Sequence, residues 1–188
     1  MQNESAKKTL ILNGSPRRNG DTAALLRVLT EDLDGEVMQV DCYRAEISPC
    51  VDCRHCRRVR RCAIDDGMQA VYRYAETCDS VVIASPIYFE GLTGKLLDVA
   101  SRFQVYDSAR RFRGEDPGLR PKRGGVLLAG GGSGDPRRPY AVAKLLLRAL
   151  NAREIYPLVC SHRTDTVAAA EDEEALRAVR GLAAFLNG

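Results

Sequence analysis

The chain has 188 residues, 45% of them hydrophobic and 28% charged, with seven cysteines and a formal net charge of +3. That length suits one domain, 1–188, with a sizeable core, and the charge is too small to imply nucleic-acid binding by itself. No apolar run is long enough to span a bilayer, and the first eight residues carry no apolar leader, so the expectation is a cytoplasmic protein whose cysteines serve metal or redox chemistry.

Residues 8–13 read as a short buried strand closed by Gly14. After a turn at 15–20, Asp21 or Thr22 is placed to cap a helix with Leu25, Leu26, Leu29 and Leu33 along one side. Residues 36–42 alternate as a second strand, and a cysteine-rich insertion at about 48–64 follows at once. Asp65 and Asp66 open a helix carrying Met68, Val71, Tyr72 and Ala75, where the acidic pair suits the positive helix end. Residues 80–85 are β-branched and apolar on both faces, as a central parallel strand requires.

Residues 92–103 are helical in pattern, and 106–120 read as the longest loop, a flap or interface segment. Residues 125–129 form another buried strand, 140–150 a helix, and 154–160 a last strand in which Pro157 favours an edge or a bulge. Leu176, Val179, Ala183 and Leu186 mark the closing helix. Five strands alternating with helices predict a doubly wound parallel sheet covered on both faces.

Ligands of such a sheet bind outside the carboxyl ends of the strands. The loop from Gly14 to Thr22 joins the first strand to a helix N-terminus, where backbone N–H groups and the helix dipole favour an anion. Ser15, Arg17 and Thr22 add donors, which makes a phosphate cradle by chemistry, although neither a dinucleotide nor a nucleoside-triphosphate fingerprint is present. A plain Gly/Pro turn is the alternative. The loop Ser85-Pro86-Ile87-Tyr88-Phe89-Glu90-Gly91 offers a surface for a planar ring, unless Tyr88 and Phe89 only pack the core. Gly130, Gly131 and Gly132, followed by Ser133 and Gly134, let backbone approach a flat ligand. One loop for phosphate and two for a ring suggest a mononucleotide.

Cys50, Cys53, Cys56 and Cys62 lie within thirteen residues, and the first three keep the C-x-x-C-x-x-C rhythm of iron–sulfur ligands. Following the second strand, they are expected on the ligand side of the sheet. Arg54, Arg57, Arg58, Arg60 and Arg61 crowd them and offset the charge of thiolates. His55, inside the run, reads as a surface residue, with a ligand or proton-donor role as the alternative. Cys42, Cys78 and Cys160 stand alone in apolar surroundings and read as buried hydrophobes.

Together, the run from Gly14 to Thr22, Ser85-Pro86-Ile87-Tyr88, and the cysteine motif with Asp65-Asp66-Gly67-Met68 resemble the iron–sulfur flavoprotein and NADPH-dependent FMN reductase family of the flavodoxin-like superfamily. The resemblance implies a flavodoxin-like fold with strand order 2-1-3-4-5 and FMN at the switch point. It implies phosphate contacts from Ser15, Arg17, Asn19 and Thr22, and ring contacts from Pro86, Ile87, Tyr88 and Phe89, with Gly130, Gly131 and Gly132 opposite. It also implies a [4Fe–4S] cluster on Cys50, Cys53, Cys56 and Cys62, a homodimer or homotetramer, and NAD(P)H as a reductant. Electrons would pass to a donor or acceptor protein or a small-molecule acceptor, with no nucleic acid and no membrane involved. Two other readings stand beside it: an NAD(P)H-dependent FMN or quinone reductase without a cluster, and a zinc-stabilised module that binds a phosphate ligand.

Overall fold

A computed structural model describes residues 6–132 and 134–188, so Ser133 of the glycine-rich loop and residues 1–5 lie outside the described residues. The strands are β1 Lys8–Asn13, β2 Glu36–Asp41, β3 Ser80–Pro86, β4 Lys122–Gly130, β5 Ala152–Ile155 and β6 Val159–His162. All pair in parallel, in the order β2-β1-β3-β4-β5, with β6 also on β4. This is the expected flavodoxin-like order. The last strand differs in one respect. β4 pairs with β5 at its start and with β6 at its end, and the break at Tyr156-Pro157-Leu158 falls where proline cannot donate to the ladder.

The helices are α1 Asp21–Glu31, α2 Met68–Thr77, α3 Gly94–Ser101, α4 Gln104–Ser108, α5 Arg137–Ala149 and α6 Glu173–Asn187. Alternation along each strand divides the core between them. Leu10 and Leu12 with Val81 and Ile83 face the layer of α2 to α5, whereas Ile11, Val82 and Ala84 face α1 and α6. All seven are fully buried, and each large aliphatic side chain so placed contributes about 1.5–3 kcal/mol.

The expected long loop at 106–120 is a correction. Residues 104–108 form α4, and a π-helical turn, Ala109–Arg113, continues it. Val105, Tyr106 and Ala109 are buried, and Tyr106 stacks on Phe103 (6.1 Å between ring centroids) and meets Tyr72 edge-on at 5.9 Å. An apolar stripe between arginines supplies the helical face, and only the stretch from Gly114 to Pro121 lacks regular structure.

Candidate functional site

The first candidate site is a cleft of about 200 Å³ at the carboxyl ends of β1, β3 and β4. Ser15, Arg17 and Thr22 line it from the first loop, Pro86, Ile87 and Tyr88 from the second, and Gly130 and Gly131 from the third. The strand order explains the convergence: β1 and β3 are neighbours, and their chains leave the sheet to opposite sides. Gly14 allows the close approach, because a Cβ there would lie 2.7 Å from Thr93 Oγ1, which donates to the Gly14 carbonyl at 2.8 Å.

The helix end facing this cleft has no side-chain cap. Gly20, not Asp21 or Thr22, is the N-cap of α1, and no side chain bonds its first-turn N–H groups. Asp21 Oδ1 instead accepts from the Ala169 N–H at 3.0 Å, tying α1 to the turn before α6. Asp21 still lines the cleft, but one of its carboxylate oxygens is engaged by that N–H, and the helix end carries no side-chain cap. Ser15 is buried, and its Oγ accepts from Arg17 N at 3.3 Å, which closes the loop on itself.

The ring loop is fixed by a tight turn. Tyr88 N donates to Gly91 O and Gly91 N to Tyr88 O, with Phe89 and Glu90 both left-handed (φ +49° and +55°). Left-handed conformation in two successive non-glycine residues is unfavourable and persists where surroundings impose it. Here Glu90 is held by Arg138 at 3.0 Å. The turn throws Phe89 fully into solvent, so it does not line the cleft. Asn19, exposed, and Gly132 lie outside the lining as well. Thr164, half-buried on the loop after β6, lines the cleft and was not anticipated. A hydroxyl just past the last strand, at the same sheet edge, was the available signal.

The second candidate site holds the cysteines. Cys50, Cys53, Cys56 and Cys62 all line one cavity of about 410 Å³, with Ser101 and Arg102 at the end of α3 and residues of α4 and the π-helical turn opposite. Cys50 N donates to Ser101 Oγ at 2.9 Å. The thiols therefore lie beyond the tail of α3, whereas the ring loop precedes its head. A helix of eight residues spans about 12 Å. Among the described residues no three His, Cys, Asp or Glu side chains converge closely enough to hold a single ion.

Arg102 organises this segment, and the sequence did not reveal it. Its side chain is fully buried, and it donates from Nη1 to Ser48 O (2.8 Å) and Asp66 Oδ2 (2.7 Å) and from Nη2 to Ile64 O (3.1 Å). One guanidinium thus staples the two ends of the cysteine segment together. Burial alone would push the Asp66 carboxyl up, but the hydrogen bonds from Arg102 and from the N–H groups of Ser48 and Met68 hold it below the usual range. Burial, then the nearby Cys62 side chain, pushes the Tyr72 phenol up.

Of the isolated cysteines, Cys42 and Cys78 are buried as expected, whereas Cys160 is half-buried. Burial pushes the Cys42 thiol up to about 12, the Cys78 thiol to about 11 and the Cys160 thiol to about 12, so none is poised as a thiolate. His55 is half-buried rather than at the surface, with Nε2 inaccessible and unpaired among the described residues.

The sheet order and its three-loop cleft define a flavodoxin-like α/β protein. The chain belongs to the NADPH-dependent FMN reductase family, whose sequence model it matches over residues 7–164. It is 29% identical over 154 residues to an iron-sulfur flavoprotein of Archaeoglobus fulgidus, covering 80% of this chain and 66% of that protein. An iron-sulfur flavoprotein of Methanocaldococcus jannaschii is 27% identical over 126 residues, covering 65% of this chain and 62% of that one. The chain thus matches slightly less than two thirds of the length of these relatives. In fold it is similar to the NAD(P)H:quinone oxidoreductase of Methanothermobacter marburgensis, with a TM-score of 0.73, 15% identity and 98% of each chain covered. No helix among the described residues is long and apolar enough to cross a membrane.

Proposed function

We propose that this chain is a flavin-dependent oxidoreductase that holds FMN in the three-loop cleft and a [4Fe–4S] cluster in the cysteine cavity. The observation that carries the reading is that four cysteines, separated by up to twelve positions, line one cavity at the other end of α3 from a cleft of the FMN reductase type. Ser15, Arg17, Thr22 and the open end of α1 would hold the phosphate. Pro86, Ile87 and Tyr88 would hold one side of the ring, with Gly130 and Gly131 opposite and Thr164 at the rim. Asn19, Phe89 and Gly132 drop out of the assignment by position.

The donor set fits a cluster on two counts. All four candidate ligands are soft sulfur, and the C-x-x-C-x-x-C spacing of the first three is that of iron–sulfur ligands. Arg54, Arg57, Arg102 and Arg111 line the same cavity with Asp52 and Asp107, so basic residues outnumber carboxylates around a group that carries negative charge. When bound, FMN supplies hydride and single-electron chemistry, and a cluster supplies a one-electron exit. The protein's part is to fix both sites and to exclude water with its buried walls. Reduction by NAD(P)H, delivery to a protein or small-molecule acceptor, and assembly as a homodimer or homotetramer belong to the same reading. Its support is the exposed Val51, Phe112, Tyr88 and Phe89, which flank the two sites with apolar surface.

The test is anaerobic purification followed by the visible spectrum and assays of iron and acid-labile sulfide. Flavin bands over a broad iron–sulfur absorption, with about four irons per chain, are expected, and Cys53→Ala should abolish iron and sulfide while leaving the flavin bound. Flavin alone would make this an FMN or quinone reductase without a cluster. Neither chromophore would leave the zinc-stabilised module.

A further inference from the structure

Behind the cysteine cavity lies a third cavity, of about 150 Å³, which neither of the two sites uses. Arg60 and Arg61 of the cysteine segment, Arg73 of α2 and Arg113 of the π-helical turn line it, with Glu76 the one carboxylate in the lining. The Arg113 side chain is only 7% exposed. Its Nε pairs with Glu115 at 2.9 Å and its Nη1 donates to the Cys56 carbonyl, but Nη2 is buried without a partner. Among the described residues Arg60, Arg61 and Arg73 make no ion pair, so three further arginines in the lining are set against a single carboxylate, Glu76.

The local backbone accommodates this gathering of charge. Gly118, at φ +76°, lets the Arg60 guanidinium lie against the chain, since a Cβ there would come 2.5 Å from Arg60 Nη2. Bringing four like charges together is unfavourable, and a buried guanidinium N–H with no acceptor adds to the cost. An anion relieves both at once. The choice of arginine at all four positions narrows its chemistry, because the planar fork matches the oxygens of phosphate or carboxylate where lysine offers a point charge.

We propose that this arginine cavity is a binding site for a phosphate-class oxyanion, either the free ion or the phosphoryl group of a small ester. It is distinct from the α1 cradle and does not rest on the flavin assignment. Because Arg113 also holds the carbonyl of Cys56, occupancy here fixes one wall of the cysteine cavity.

Calorimetric titration of the purified protein with inorganic phosphate and with glycerol 3-phosphate, at constant ionic strength in chloride and with excess FMN present to fill the cradle, tests this. Saturable binding near one ion per chain is expected. Arg73→Glu and Arg113→Met should each weaken it at least tenfold, and Arg177→Glu, the same charge change on α6 across the sheet, should leave it intact. Arg73 is exposed, so its variant reports even if Arg113→Met fails to fold. Tighter binding of the ester assigns a metabolite's phosphoryl group, and tighter binding of phosphate assigns the free ion. No saturable binding in the wild type, unchanged affinity in Arg73→Glu, or equal weakening in the Arg73 and Arg177 variants would overturn the site.

Discussion

The two candidate redox sites lie at opposite ends of α3 and are built in opposite ways. The cleft is made of backbone where strands end: Gly14, Pro86 and Gly130 sit next to one another because β1, β3 and β4 do. Its geometry follows from the hydrogen-bonded sheet and the buried aliphatic layer, so no single side chain carries it. The cysteine cavity is walled on one side by a long segment whose only regular element is a 3₁₀ turn, His55–Arg57. Side chains hold that segment: Arg102 at both ends, Ser101 at Cys50, Ser108 at Cys56 (3.2 Å) and Arg113 at the Cys56 carbonyl. A site made by topology should tolerate substitution, and one made by staples should fail at a staple.

Removing the main staple is the strongest way to test that contrast. Arg102→Met keeps the apolar stem but leaves the Asp66 carboxylate and the Ser48 and Ile64 carbonyls without their partner. Breaking a buried ion pair on one side costs about 3–5 kcal/mol. Urea unfolding should show a loss of that order, and iron content should fall with it. FMN affinity of the folded fraction should stay near wild type, since no cleft residue touches Arg102. Wild-type stability and full iron content in this variant would remove the distinction between the two sites.

Acid should work on the same staple more gently. The Asp66 carboxyl is held below its ordinary range, so its ionised form adds stability at pH values above about 3.9, the usual carboxylate value. That contribution is lost as the pH falls through the lower, folded value. In the cleft loop Asp21 accepts only from a main-chain N–H, that of Ala169, and pairs with no buried guanidinium. Pepsin digestion from pH 4.5 down to 2.5, read by mass spectrometry, should therefore cut first within residues 48–66. First cuts in the 14–22 loop, or cutting that does not change with pH, would contradict the assignment.

The same contrast explains what was legible in the sequence. β1, β3 and β4 are buried on both faces and appear as unbroken apolar runs; their alternation with helices implies a parallel sheet, and the family resemblance implies its order. The cleft loops were legible because topology puts strand ends together. Arg102 was not, since it is one of 28 basic residues and nothing local distinguishes the buried one. Its setting between Ala100 and Phe103 is visible only after the aromatic cluster of Tyr72, Phe103 and Tyr106 has closed around it. The 104–113 region was missed for a related reason, because Arg110, Arg111 and Arg113 mask the helical spacing of Val105, Tyr106 and Ala109. Phe89 was misplaced because composition does not report a left-handed turn built from Phe and Glu.

The smallest effect is expected at the cleft rim, and it is the one that sharpens the comparison most. Thr164 lies on the loop after β6, whose Thr164 N–H donates to Gly130 O at 3.1 Å, so its backbone position is set by β4. Thr164→Val keeps the shape and removes one hydroxyl. A single hydrogen bond is worth about 0.5–1.5 kcal/mol net, so FMN should bind roughly 2- to 12-fold more weakly. Unfolding midpoint and iron content should not move, because the loop stays pinned through the main chain. If iron content fell together with FMN affinity, the two ends of α3 would be one cooperative unit, and a site made by topology could no longer be separated from a site made by staples. If FMN affinity did not change at all, the rim would carry no ligand contact and the cleft assignment would contract to the cradle and the ring loop.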